Sequence, residues 1–262
     1  MVISFIGAGG KTTAIYSYAR RDSYRGKRVI ITTTAHMQYP DSSFGRLCTS
    51  AAEAERQIAL DPRKPAVCGL DAGMQNGIHK ISPLPPEEFE KLRSVCDMLF
   101  IEADGAKMKP IKAPDTYEPV LPASTDVIMV SAGLDALGGR LEDVCFRKER
   151  AVEILWPDTG TADDGTAEKY FSHIITDSDI ARILCRGYIL PLLADPDFYG
   201  VKVTAMLNKA DTENHKKEAR LIAEKIKRLV KAEIVDRGRL GDFTGTNITS
   251  FADGTYEYEV YH

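Results

Sequence analysis

The chain has 262 residues, a length typical of one or two domains and sufficient to bury a sizeable core. Its 34 basic and 38 acidic residues leave a formal net charge of −4, which argues against a surface that binds nucleic acid throughout. Hydrophobic residues make up 44% and charged residues 27%, so the composition argues against disorder. No apolar run approaches the roughly 20 residues that a bilayer span requires. We therefore expect neither nucleic acid nor a membrane as a partner.

Short apolar segments alternate with helical ones along the chain. Strands are predicted at residues 2–6, 28–34, 98–102, 126–131, 201–207 and 256–261, and helices at 11–20, 51–60, 85–95, 147–155 and 213–231. Strands that are nearly all apolar and alternate with helices favour a mostly parallel sheet covered on both faces, and thus an α/β fold. We expect residues 1–262 to form a single domain, with 140–197 as a helical insertion.

The first predicted strand leads into a glycine-rich segment and then into a helix. The segment consists of Gly7, Ala8, Gly9, Gly10, Lys11, Thr12 and Thr13. Glycines allow backbone N–H groups to turn toward an anion, and a helix N-terminus adds partial positive charge, so this context predicts a phosphate loop. We expect Lys11 to reach the terminal phosphates of a nucleotide and Thr12 to ligate Mg²⁺. The alternative is a glycine-rich turn with a chance Gly-Lys-Thr.

This loop departs from the common G-x-x-x-x-G-K-[ST] pattern, because Phe5 stands where that pattern has its first glycine. The shorter G-x-x-G-K-T-T form resembles the phosphate loop of the Mur ligases, which also lack the first glycine.

Two carboxylates, Glu102 and Asp104, follow the apolar strand at 98–102. A Walker-B site places a carboxylate at such a strand end, beside the Mg²⁺ of the phosphate loop. We expect one carboxylate to hold Mg²⁺ and the other to orient water or substrate, without a preference between them; the alternative is an ordinary polar strand end. Thr33, at the end of the second strand, is either a further hydroxyl near the metal or simply a good strand residue.

The sequence Asn208-Lys209-Ala210-Asp211 follows the strand at 201–207 and matches the N-K-x-D guanine-recognition motif. A carboxylate at Asp211 can accept hydrogen bonds from guanine N1–H and N2–H₂, which adenine does not offer, and the Lys209 stem can lie along the base. The alternative is that Asp211 caps the following helix.

Five basic residues of interest follow the two predicted carboxylates in the sequence. Lys107, Lys109 and Lys112 either hold an anionic substrate or form a solvated basic loop. Arg147 and Arg150 contact phosphate, act as an arginine finger or, as we favour, lie on a solvated helix face.

Five cysteines lie far apart and outside any C-x-x-C pair, at Cys48, Cys68, Cys96, Cys145 and Cys185. The odd count and the spacing argue against a disulfide framework and a cysteine-type zinc site. We therefore expect reduced thiols and a cytoplasmic protein.

Taken together, the motifs resemble the YqeC family, whose members are associated with selenium-dependent molybdenum hydroxylases. The segments that carry the resemblance are residues 6–13, 31–36, 101–107, 110–114, 118–122 and 207–211. Glu-Ala-Asp-Gly at 102–105, followed by Lys-Ala-Pro at 112–114, is the most specific part. Phe146 departs from the family pattern, which has histidine before Arg147. The resemblance implies a P-loop NTPase-like three-layer fold and a role in maturing the hydroxylase centre.

The motifs and the resemblance predict an Mg²⁺-dependent protein that binds a purine nucleotide, GTP in preference to ATP. Hydrolysis of this nucleotide would assist maturation of a client molybdenum hydroxylase, with Lys11, Glu102 and Asp104 as catalytic residues. One alternative is an ATP-dependent ligase or kinase with a Mur-like loop that acts on an anionic small molecule. Another is a nucleotide-gated metallochaperone with little turnover.

Overall fold

A computed structural model of the chain describes residues 1–40, 42–159, 166–237, 241–251 and 257–261. The chain divides into two compact units, each assembled from separate stretches of sequence. The first unit comprises Met1–Ile6, Lys11–Gly105 and Val120–Val127. The second comprises Gly7–Gly10, Ala106–Pro119 and Ile128–His262.

The first unit is built on a parallel sheet. In chain order its elements are β1 (Val2–Gly7), α1 (Lys11–Tyr24), β2 (Val29–Thr33), β3 (Met37–Gln38), α2 (Ala51–Leu60), β4 (Ala66–Val67), β5 (Leu70–Gln75), β6 (Ile78–Ser82), α3 (Pro86–Val95) and β7 (Met98–Glu102). The strand order is β1-β7-β2-β4, and each neighbouring pair is parallel. The strands predicted in this region are apolar because the sheet buries them, and β2 is buried along its whole length.

A small antiparallel sheet in the first unit was not predicted. Its strand order is β3-β6-β5, and β5 and β6 form a hairpin in which Gln75 pairs with Ile78. The two turn residues, Asn76 and Gly77, have φ values of 50° and 76°. Two consecutive left-handed residues define a type I′ hairpin turn, for which Asn-Gly is the preferred dipeptide. The sequence therefore contained a signal for this hairpin that the strand periodicity alone did not reveal.

The second unit combines strands with most of the shorter helices. In chain order its elements are β8 (Ile111–Lys112), β9 (Val127–Gly133), α4 (Leu141–Val144), β10 (Cys145–Phe146), α5 (Lys148–Leu155), α6 (Asp177–Leu184), a π-helical turn (Cys185–Ile189), α7 (Leu190–Ala194), β11 (Lys202–Asn208), α8 (Glu213–Arg237), β12 (Asp242–Ser250) and β13 (Glu257–Tyr261). The strand order is β13-β12-β11-β9, with β11 and β12 parallel and β13 antiparallel at the edge. A separate ladder pairs β8 with β10.

The region predicted as a helical insertion contains α4 to α7 with short 3₁₀ turns between them. Thr176 begins α6 with a capping box, in which its hydroxyl accepts from the N–H of Asp179 and the Asp179 carboxylate accepts from the N–H of Thr176. Residues 160–165 of this region, and residue 256 of the predicted edge strand, lie outside the described residues. Whether the chain folds as a single domain stays a prediction.

The chain therefore has the predicted α/β fold, with a mostly parallel sheet and flanking helices, as in P-loop NTPase-like three-layer proteins. Within the described part of the chain, no helix combines the length and the apolarity needed to cross a bilayer.

Candidate functional site

Four residues of the first unit form what we call the strand-end cluster: Lys11 and Thr12 in the first turn of α1, Glu102 at the end of β7, and Asp104. Lys11 Nζ lies 2.9 Å from Asp104 Oδ1, and the two side chains are only 3% and 0% exposed. Thr12 Oγ1 donates to Glu102 Oε2 at 2.7 Å. The structure thus brings together the predicted phosphate-binding lysine, the predicted Mg²⁺ hydroxyl and both predicted carboxylates.

Within the strand-end cluster two carboxylates accompany one ammonium group, and the Lys80 ammonium also acts on Glu102. Burial raises the pKa of Glu102, and the nearby Lys11 ammonium and the Thr12 hydroxyl only partly oppose this effect. Oxygen ligands with surplus negative charge suit a hard divalent cation. No group of three or more acidic, histidine or cysteine side chains is arranged to hold a metal within the described residues. Mg²⁺ fits this sparse donor set, since it commonly keeps several waters and takes the rest of its ligands from phosphates.

Thr33 and Thr13 are placed differently from Thr12. Thr33 Oγ1 donates to the backbone carbonyl of Glu102 at 2.7 Å and accepts from the N–H of Ala35 at 3.0 Å. This buried hydroxyl therefore connects the ends of β2 and β7. Thr13 is exposed in the first turn of α1.

The glycines that precede α1 are packed against other backbone in the second unit. Gly9 has a φ of +78°, and a Cβ at this position would collide with the backbone nitrogen of Gly133, so glycine is required on both grounds. Ala8 N donates to Ser131 O at 2.9 Å, and Gly9 N donates to Lys109 O at 3.3 Å. These two N–H groups therefore face protein carbonyls, whereas the helical N–H groups in the first turn of α1 have no intrahelical acceptor.

Asn208, at the end of β11, fixes this glycine turn. Its Nδ2 donates to Gly9 O at 2.9 Å, while its Oδ1 accepts from Lys209 N at 2.8 Å and from Thr249 Oγ1 at 3.2 Å. The side chain is buried. The first residue of the predicted base-recognition motif therefore acts on the predicted phosphate loop within the second unit.

Lys209 and Asp211 complete the motif. Lys209 adopts a left-handed backbone with a φ of 64°, and its Nζ lies 2.5 Å from Asp135 Oδ2. Asp211 is exposed, and its Oδ1 accepts from Ser250 Oγ at 2.6 Å. Asp211 does not cap α8, because Thr212 Oγ1 accepts from the N–H of His215 at 3.1 Å and occupies that role.

Lys112 belongs to a second ionic arrangement, which we call the Glu118 network and which consists of Lys112, Asp115, Glu118 and Arg147. Lys112 is fully buried, and its Nζ lies 2.8 Å from Glu118 Oε2. Arg147 also donates to Glu118, and its Nε lies 3.4 Å from Asp115 Oδ2. Lys112 is therefore not part of a solvated basic loop, and Arg147 does not lie on a solvated helix face.

The other two lysines of the loop also have partners in the second unit. Lys109 Nζ donates to the backbone carbonyl of Asp143. The exposed Lys107 places its Nζ 5.0 Å from the ring centroid of Phe146. Arg150, predicted with Arg147, pairs with Glu153 on α5.

Sequence reasoning missed the residues that partner the predicted ones. Asp135, Ser250 and Glu118 come from distant segments and carry no motif of their own. A weak signal existed for Asp135, which follows a predicted strand shortly after its end, where site residues of α/β proteins collect.

The fold and the strand-end cluster define an α/β protein in which a lysine and a hydroxyl at the start of a helix lie beside two carboxylates at a strand end. The family model described as YqeC protein matches residues 3–149, which is more than half of the chain. The chain therefore belongs to the YqeC family, as its motifs predicted. It is also 35% identical over 143 residues to a protein of Escherichia coli (strain K12) described as uncharacterized protein YqeC.

That match covers 53% of this chain and 54% of the relative, so the chain spans about half the length of the curated relative it matches. The residues of the strand-end cluster lie inside the family match, whereas Asn208, Lys209 and Asp211 lie beyond it.

Proposed function

We propose that this protein binds Mg²⁺ and a purine nucleoside triphosphate, with GTP preferred over ATP, and that it hydrolyses the nucleotide. The observation that carries the proposal is the buried strand-end cluster, in which Lys11 and Thr12 meet Asp104 and Glu102. A lysine and a hydroxyl at the start of a helix, paired with carboxylates at a strand end, are the parts that phosphate-loop enzymes use for nucleotide phosphates and their metal.

Each residue of the strand-end cluster has a distinct role in this proposal. The N–H groups at the start of α1 contact phosphate oxygens, and the Lys11 ammonium leaves part of its pairing with Asp104 to neutralise the terminal phosphates. Thr12 and one of the two carboxylates hold Mg²⁺, which when bound supplies charge neutralisation and Lewis-acid activation of a phosphate. The remaining carboxylate orients the attacking water.

The preference for GTP rests on Asp211. Its carboxylate is exposed, and the Ser250 hydroxyl holds one of its oxygens at 2.6 Å. An ionised carboxylate held in this way accepts from the two donors on the guanine edge. Because Thr212 caps α8, helix capping no longer accounts for the presence of Asp211. Lys209, oriented by Asp135, contributes its stem to one face of the base.

The biological role that we propose is assistance in the maturation of selenium-dependent molybdenum hydroxylases, with a client hydroxylase as the protein partner. This part rests on what membership of the YqeC family implies. The ligase or kinase alternative would use Lys107, Lys109 and Lys112 for an anionic substrate. It is less favoured, because Lys112 pairs with Glu118 and Lys109 donates to the backbone carbonyl of Asp143.

Calorimetric titration of GTP and ATP, each with and without Mg²⁺, tests the proposal. We expect Mg²⁺-dependent binding of GTP that Lys11→Ala weakens by at least about 100-fold, since it removes the charge opposite the phosphates. Lys91→Ala, on the exposed face of α3, is the control. We expect Asp211→Ala to reduce the ratio of GTP to ATP affinity about tenfold, while the exposed neighbour Glu213→Ala leaves it unchanged.

Failure of both nucleotides to bind would overturn the proposal at its root. Equal affinities for GTP and ATP that Asp211→Ala does not alter would remove the guanine preference and leave the phosphate site intact. Phosphate release measured on the same samples separates a nucleoside triphosphatase from a metallochaperone with little turnover.

A further inference from the structure

Cys48 and Cys68, distant in sequence, lie side by side in the first unit. They are partners in an isolated parallel β-bridge. Cys48 N donates to Val67 O at 2.9 Å, and Gly69 N donates to Cys48 O at 3.0 Å, so backbone hydrogen bonds hold the pair on both sides. Both residues are buried, with 3% and 0% of their surfaces exposed. The wide spacing of the cysteines along the chain concealed this arrangement.

The backbone geometry of the pair is compatible with a disulfide. Bridge partners on adjacent strands lie about 4.8 Å apart. This spacing falls inside the roughly 4.4–6.8 Å range of Cα separations that disulfides span. Both cysteines are free thiols in this structure.

The two thiols are chemically unequal. A hydrogen bond with Cys68 is the largest influence on Cys48 and lowers its pKa; Arg46 and Arg56 act in the same direction, whereas burial and Glu53 oppose them. The Cys48 thiol also donates to Gln57 Oε1 at 3.5 Å. The same hydrogen bond, together with burial, raises the pKa of Cys68 well above its ordinary value. Cys48 is therefore the better nucleophile, and Cys68 supplies the proton.

The remaining cysteines differ from Cys48. Burial raises the pKa of Cys96 to about 11 and those of Cys145 and Cys185 to about 12. A thiol with a raised pKa reacts slowly with oxidants because little thiolate is present. An oxidant small enough to reach the buried pair should therefore select Cys48.

We infer that Cys48 and Cys68 form an oxidisable dithiol that a hydroperoxide converts into a disulfide. In the first step the Cys48 thiolate attacks a peroxide oxygen; an S–O bond forms, the O–O bond breaks, and the departing oxygen takes up the proton that the Cys48 thiol released and leaves as water or alcohol. In the second step Cys68 sulfur attacks Cys48 sulfur, so that the S–S bond forms and the S–O bond breaks. The hydroxyl leaves as water with the Cys68 proton. Two thiols are oxidised and one peroxide is reduced.

The disulfide would be anchored to the central strands of the first unit. Cys68 N donates to Ile31 O at 2.8 Å, and Cys68 O accepts from Thr32 Oγ1 at 3.0 Å. Oxidation would therefore link the segment before α2 covalently to Cys68. Cys68 in turn is hydrogen-bonded to β2, the strand that pairs with β7. This modification site is independent of the proposed nucleotide-binding function.

Treatment of the full-length reduced protein with hydrogen peroxide, followed by intact-mass measurement and peptide mapping, tests the inference. We expect the loss of two hydrogen atoms, a Cys48–Cys68 cross-linked peptide, and recovery of both thiols with dithiothreitol. Labelling of Cys48 by an electrophile should be about tenfold faster than labelling of the more accessible Cys96. Cys96→Ser is the control and should form the same disulfide.

A second variant tests the first of the two chemical steps by itself. In Cys68→Ser, which keeps a hydroxyl donor beside Cys48 and whose fold is checked by its thermal unfolding, the inference predicts a Cys48 sulfenic acid that dimedone traps; wild type should give little of this adduct. Oxidation that begins at Cys96, or that advances to sulfinic acid at Cys48 without a link to Cys68, would overturn the inference. So would a Cys68→Ser protein that is folded but forms no dimedone adduct.

Discussion

The two units each contain a buried ionic group, and the groups differ in charge balance. In the strand-end cluster, Glu102 and Asp104 lie with the Lys11 ammonium, and burial raises the pKa of Glu102 although Lys11 and Lys80 oppose this effect. In the Glu118 network, two cations face two carboxylates; burial opposes ionisation of Glu118, but hydrogen bonds from Arg147 and Lys112 outweigh it and lower its pKa. A buried group that the protein balances itself serves the fold, whereas an unbalanced one indicates a place for a ligand of opposite charge.

The largest expected effect follows from unbalancing the Glu118 network. Glu118→Gln leaves the fully buried Lys112 ammonium without its carboxylate, and breaking a buried pair in this way costs about 3 kcal/mol. We expect a loss of that size in the free energy of unfolding, measured in urea. Glu142→Gln, which affects an exposed pair with a 3.9 Å separation from Arg140, should change stability by less than about 0.5 kcal/mol. Equal losses in the two variants would show that the network contributes no more than a surface pair.

A smaller effect of opposite sign is expected in the strand-end cluster. Glu102→Gln removes the surplus negative charge while keeping an acceptor for Thr12 Oγ1. We expect the unliganded protein to gain about 1 kcal/mol of stability at neutral pH, and Mg²⁺-dependent nucleotide binding to be lost. Thermal unfolding and calorimetry measure the two effects, with the exposed Glu87→Gln as the control. A destabilised variant would mean that the protein itself balances the Glu102 carboxylate.

The smallest expected effect is in how the stability differences between wild type and the two variants, Glu118→Gln and Glu102→Gln, depend on pH. The pKa of Glu118 lies below its ordinary 4.5, so its contribution to stability is present above pH 4.5 and is lost as pH falls through the lowered pKa. The pKa of Glu102 lies above 4.5, so the cost of its charge is absent below pH 4.5 and appears as pH rises through the raised pKa.

Urea unfolding of wild type and both variants across this pH range measures the two windows. The stability difference between wild type and Glu118→Gln should change below pH 4.5, and that between wild type and Glu102→Gln should change above it. Differences that change in the same window would contradict the contrast between the two groups.

The sequence predicted the elements well where local pattern determines them. The helix at 51–60 has the predicted bounds, and the strand at 98–102 is confirmed as β7. Because β7 is buried along nearly its whole length, its sequence carries a clear apolar signal. The hairpin at 70–82 escaped because its strands are mixed in polarity and much of β5 is exposed, which leaves the Asn-Gly turn as its main signal.

The sequence was less informative about which charges are paired. Lys112 stands in a basic, proline-containing segment that is typical of solvated loops, yet the fold buries it against Glu118. Lys209 pairs with Asp135, 74 residues away, and no local pattern encodes that proximity. Motifs revealed the chemical groups of the candidate site, but tertiary structure decides which of them are already neutralised.

The amide of Asn208 has a consequence for the entropy of ligand binding. Its three hydrogen bonds set the orientation of the amide and fix the carbonyl of Gly9 before any ligand arrives. A glycine-rich turn would otherwise be among the most mobile segments of a chain, and ordering it on binding would reduce affinity. Since the turn that leads into α1 is already ordered, a ligand at the first turn of that helix would not have to immobilise it. Asn208 thus preorganises the turn that leads into α1.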